Sequence, residues 1–150
     1  MKKFKFSLDS VLSYKQQVLD SLKGEHAAIL AQVREQEDVL EGVWQDYRDC
    51  NEEYRQRKLE GITVADAMFY QNGLRALEAE IERETAALEE LRKKEEAKRQ
   101  QVVNAKIDTS SIEKLREHKL EDYNKAVQKA EENLIDEFVS SARTRAGIGA

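Results

Sequence analysis

A chain of 150 residues with 37% charged side chains, 7% aromatics and no proline has the composition of a long helix or coiled coil. It buries a seam rather than a core, which leaves no room for a catalytic cavity, so an enzyme is not expected. The net charge of −5 argues against nucleic acid, whose phosphates call for a concentrated basic face. The lone Cys50 has no internal partner and fits a reduced compartment, the cytosol.

Met1 to Phe6 carries three lysines in the manner of a signal peptide, but Asp9 and Lys15 interrupt any apolar run long enough to serve as its hydrophobic region. No stretch reads as a membrane span. Phe6-Ser7-Leu8-Asp9 reads as a helix start, with Ser7 as N-cap, Asp9 near the positive end of the dipole and Phe6 stapled onto Val11. Helix 1, about 8–58, then steps in alternating fours and threes from Leu8 through Leu12, Lys15, Leu19, Leu22 and His26 to Tyr54 and Arg57. Eleven of its fifteen seam positions are apolar. Gly24 and Gly42 lie off this seam, where each costs about 1 kcal/mol of helix propensity without breaking the helix. Trp44, just beside the seam, reads as flanking packing.

Leu59 to Thr63, L-E-G-I-T, is the clear interruption. Gly61 can take the left-handed conformation that ends a helix, and Thr63 with Asp66 has capping-box spacing. The turn is therefore set at 59–63 and helix 2 at about 64–143. The seam resumes at Tyr70, Leu74, Leu77 and Ile81 and runs through Leu88, Leu91, Glu95, Lys98 and Val102 to Thr109 and Ile112. Nine of thirteen positions are apolar. The two stripes mate in an antiparallel hairpin when paired residue numbers sum to about 124, which sets Tyr54 against Tyr70, Val43 against Ile81, His26 against Lys98 and Lys15 against Thr109. The predicted fold is all-α, two long helices in a single antiparallel coiled-coil hairpin. Polar layers predict a looser half near the termini.

Asp108-Thr109-Ser110-Ser111 offers a second capping box, Ser110 with Glu113, so helix 2 is read either as interrupted there or as continuous. Beyond Ile112 the stripe re-phases through Leu115, Leu120, Tyr123, Val127, Ala130, Leu134 and Phe138. Helix 1 has run out, so about 27 residues of helix 2, on the order of 40 Å, are expected to overhang with an uncovered apolar face, which implies a binding partner. Charge is uneven: residues 35–89 carry a net −9 and the remainder +4. Such a polarity can orient a chain on its partner.

Chemistry-bearing patterns are missing from the sequence. His26 and His118 have no second Cys or His at ligand spacing, so no metal site is read. There is no phosphate loop or nucleophile elbow, and carboxylate pairs such as Glu95-Glu96 lie on exposed helix. Arg92-Lys93-Lys94 and Lys98-Arg99 form a short basic stretch, but Glu95-Glu96 interrupts it and no aromatic interleaves it. No catalytic residue and no cofactor are assigned.

Three ordered stretches, K-F-K-F-S-L-D-S-V-L-S-Y-K (Lys3 to Lys15), I-E-K-L-R-E-H-K-L-E-D-Y (Ile112 to Tyr123) and L-I-D-E-F (Leu134 to Phe138), resemble the FliJ family of flagellar type III export proteins. These are short cytosolic antiparallel coiled coils with a turn at this position. The resemblance implies a non-enzymatic stalk, similar in shape to the γ subunit of rotary ATP synthases, at the cytoplasmic face of the flagellar basal body. Such a stalk enters the pore of the hexameric export ATPase FliI, contacts the export gate protein FlhA, binds export chaperones and meets the membrane export apparatus only peripherally. By that resemblance Asp136, Glu137 and Phe138 match the family's C-terminal D-E-F and, with Leu134 and Arg143, would bind the ATPase. Phe69, Tyr70, Leu74 and Leu77 match the gate-contacting region, although the seam also uses the last three, and Gly73 stands where some relatives carry a bulky apolar residue. The alternative is a generic structural or scaffolding coiled coil that associates through its exposed C-terminal helix.

Overall fold

The computed structural model describes residues 2–149. Two helices account for nearly all of them, α1 (Asp9–Glu60) and α2 (Val64–Ile148), and they pack antiparallel. Gly61 separates them at φ +96°, the left-handed region that costs a residue without Cβ nothing. Its amide donates to the Lys58 carbonyl at 3.4 Å. On the far side of the turn the Thr63 hydroxyl accepts from the Asp66 amide at 3.1 Å, so the threonine half of the predicted capping box is formed and α2 starts where the motif puts it.

Contacts gather the chain into two units, Asp20–Val103 around the turn and Met1–Leu19 with Asn104–Ala150. In the turn unit the seam follows the predicted stripe. Val33, Val43, Tyr54, Tyr70, Ile81 and Leu88 are its buried residues. The Tyr54 and Tyr70 rings stack with centroids 5.3 Å apart, the Tyr47 hydroxyl reaches Glu78 at 3.4 Å and Gln36 Nε2 donates to the Glu84 carbonyl at 3.1 Å. These partners sit at or within a few residues of the predicted register. His26 is set against Glu95 rather than Lys98: its Nε2 lies 2.8 Å from Oε1, while Lys98 turns outward to Glu25 at 2.8 Å. A carboxylate gives the half-buried imidazole a hydrogen-bond partner, which an ammonium would not, and the flexible lysine reaches solvent and a second carboxylate instead.

The other unit decides one open reading and corrects two expectations. Helix α2 runs through 108–111 without a break. The Thr109 hydroxyl donates to Ala105 O at 2.8 Å and also approaches Lys15 O at 3.5 Å, and Ser111 Oγ donates to Ile107 O at 2.9 Å, so these side chains bond back onto helical carbonyls instead of capping a new start. Thr109, only 3% exposed, is therefore a satisfied layer. With Phe6, Leu12 and Leu19 buried alongside it, the terminal half is not loose as a whole; the weakly buried polar layer is confined to the neighbourhood of His26 and Glu95.

The helix start is also displaced. The first helical bond runs from Leu12 N to Leu8 O at 2.8 Å, and Asp9 N donates to Phe6 O at 3.2 Å, so Ser7 lies in a turn ahead of the N-cap position, which Leu8 takes. Phe6 is buried while Val11, its expected staple, stays 40% exposed. Burying a phenylalanine is worth about 1.5–3 kcal/mol against about 1 kcal/mol for a cap, so packing wins.

Residues 2–6 supply what the sequence reading missed. They run back along α2 as a strap: the Tyr123 hydroxyl donates to the Lys2 carbonyl at 2.7 Å, the Phe4 and Tyr123 rings lie 5.6 Å apart, and the Arg116 guanidinium sits 5.6 Å from the Phe4 ring centre while bonding Asp9 at 3.3 Å. Leu120 and Tyr123 are consequently half-buried rather than uncovered, and Leu115 at 40% exposure yields its place on the stripe to Arg116. The uncovered part of α2 begins at Gln128, after which every described residue is exposed.

Gly73 faces Cys50, whose Sγ would lie 3.8 Å from an added Cβ. That is ordinary van der Waals contact, so Gly73→Ala should gain about 0.5–1 kcal/mol from helix propensity alone. A rise in the urea midpoint at unchanged slope measures it.

Candidate functional site

The described residues hold no group of His, Cys, Asp and Glu able to bind a metal, and no helix among them is long and apolar enough to cross a membrane. What the fold offers is surface. In the terminal unit, Leu134 is 68% and Phe138 76% exposed, with Ile135 and Val139 also open. Leu134, Glu137, Phe138, Ser141, Ala142 and Arg145 line a shallow hollow, and because all six stand on one helix it is a groove between side chains rather than a cavity. Asp136, Glu137 and Arg143 are exposed on the same stretch. All five residues assigned to the ATPase by resemblance are thus together and free of any packing role.

The four residues assigned to the gate divide. Phe69 is 74% exposed. Tyr70 is buried, stacked on Tyr54, and its hydroxyl donates to Glu53 at 3.0 Å; burial, and then the bond to Glu53, raises its pKa above the ordinary tyrosine value. Leu74 and Leu77 are half-buried in the seam. Only Phe69 is presented outward, edge-on to Tyr70. Its open companions are Leu59 (76%), Val64 (78%) and Met68 (57%), an apolar patch at the turn that the heptad walk passed over because these residues fall out of phase with the seam. That mismatch was the available signal.

Charged groups elsewhere are largely committed to structure. The basic stretch is tied down by Arg92 to Glu37 at 3.3 Å, Lys93 to Glu90 at 3.2 Å and the pairing of Arg99 with Glu96, and such exposed pairs contribute little individually. In a separate exposed pair on α1, Glu52 is held below the usual carboxylate range by its hydrogen bond to Arg55. Trp44, 40% exposed, packs edge-on against Tyr47, in keeping with a flanking role.

Two long helices packed against each other, with polar groups among the seam residues and open apolar side chains near Phe69 and at Leu134 and Phe138, define a coiled-coil protein. The family model of the Flagellar FliJ protein matches residues 4–147, nearly the whole chain, and the chain belongs to that family. It is accordingly a protein of flagellar type III export. Neither the curated proteins nor the solved structures return a match.

Proposed function

We propose that the chain works as one hairpin in the flagellar export apparatus, as a cytoplasmic stalk and chaperone escort whose α2 overhang enters the ring of the export ATPase FliI. The observation that carries this reading is the stretch from Gln128 onward, helical to Ile148 and exposed on every side, with Leu134 and Phe138 turned to solvent. A helix with no packing on any face and large apolar groups exposed suits insertion into an enclosing pore better than docking on a flat surface. Asp136, Glu137 and Arg143 would supply the polar rim of that contact.

In the turn unit, Phe69 is the residue proposed to meet the export gate protein FlhA, with Leu74 and Leu77 packed in the seam beneath it and Tyr70 stacked on Tyr54. The protein would then sit peripherally at the cytoplasmic face of the basal body. Co-purification of the full chain with FliI, compared with a chain ending at residue 128, tests the first contact. Retention by the shortened chain would sink the stalk reading, and self-association of the full chain without ATPase capture would favour a scaffolding coiled coil instead.

A further inference from the structure

The strap at residues 2–6 has an alternating sequence, K-K-F-K-F, and its fold explains the alternation. Phe4 packs on Tyr123 and Arg116 of α2 and Phe6 is only 7% exposed, while Lys3 and Lys5 remain exposed, as does Lys2. Lys119 joins them from α2, lining one hollow with Lys5, and Lys2 and Lys3 line the adjoining one. A single carboxylate, Asp122, lies on these rims, and none of the ion pairs among the described residues uses any of the four lysines.

We infer that this lysine platform is a docking surface for the anionic headgroups of a lipid bilayer. Its chemistry selects that partner over others. The cations are all ammonium groups, mobile point charges suited to a diffuse anionic surface, whereas a defined carboxylate or phosphate would be gripped bidentately by arginine. Both phenylalanines face inward, so no ring is free to stack on a nucleic-acid base. The contacts to Tyr123 and Arg116 hold the lysines in place before binding, which reduces the ordering cost. The attraction is electrostatic, short in range and screened by salt. It stands independently of the ATPase and gate contacts.

Co-sedimentation of the full chain with phosphatidylcholine vesicles, with and without phosphatidylserine, tests it. Binding is expected only to vesicles containing the anionic lipid and should be released by raised salt. At roughly fivefold per lysine, Lys3→Gln with Lys5→Gln should weaken partitioning about 25-fold. The pair Lys93→Gln with Lys94→Gln, which removes the same charge elsewhere, should leave it nearly unchanged. All four side chains are exposed, so helix content by circular dichroism should not move. No binding to anionic vesicles, equal binding to neutral ones, equal loss in both lysine pairs, or equal capture of the chain by polyglutamate or single-stranded RNA would each overturn the inference.

Discussion

With the α2 overhang in the ATPase ring, as proposed, replacing Phe138 and Leu134 together by alanine should weaken stimulation of the ATPase at least tenfold, about 1.4 kcal/mol, while the hairpin melts at the same temperature as before. The two side chains are 76% and 68% exposed, so their truncation leaves no cavity and removes no contact on which folding depends; surface changes of this kind shift stability by no more than about 0.5 kcal/mol. Burial in a partner would be worth about 1.5–3 kcal/mol for each, which makes tenfold a conservative figure. Titrating the variant into the ATPase and following the melt at 222 nm of ellipticity, a helix signal, gives both quantities. A fall in melting temperature equal to the loss of stimulation would mean that the stripe is covered within its own chain.

Leu88→Ala should do the opposite. Leu88 is the most deeply buried apolar residue of the seam, 4% exposed, and buried leucine-to-alanine changes cost about 2–5 kcal/mol, the larger values where neighbours cannot close the void. Within the turn unit the helices are held by a single line of buried residues, so the loss is not spread over a wider core. The melting temperature should drop by several degrees for each kcal/mol lost, with loss of partner binding following only as the unfolded fraction grows. An unchanged melt would show that the Leu88 layer does not carry the packing its burial indicates. Leu88 and Leu134 are the same residue type on the same helix, but Leu88 is in phase with a seam that α1 covers, whereas Leu134 stands where every described residue is exposed.

Phase was also what the amino-acid sequence conveyed best. A heptad stripe fixes which side of each helix is wet, so Val33, Val43, Tyr54, Ile81 and Leu88 could be placed in the seam, and Gly61 with Thr63 could be placed at the turn, from local rules alone. Polar seam residues were harder. Position assigned His26 to the layer of Lys98, but the choice of Glu95 rests on the length and charge of side chains three residues apart. The strap escaped the heptad reading because residues 2–6 lie outside both helices, where a search at helical spacing has nothing to register. For the candidate site, Leu134 and Phe138 were legible because no α1 residue remained to cover them. Tyr70 was ambiguous in sequence, serving both seam and gate patterns, and its burial gives it to the seam. Leu59, Val64 and Met68 went unnoticed because apolar residues out of phase look like background.

The pairs at Gln36 and at His26 have a mechanical consequence. Sliding α2 along α1 by seven residues would keep the apolar stripes facing each other, but it would carry Glu84 away from Gln36 and Glu95 away from His26. Polar seam residues of this sort reduce stability and specify alignment. Within the turn unit the two helices therefore behave as a ratchet held at one tooth. Tension applied along either helix meets a detent rather than a slippery leucine track, and is delivered to the other as displacement instead of being lost in creep.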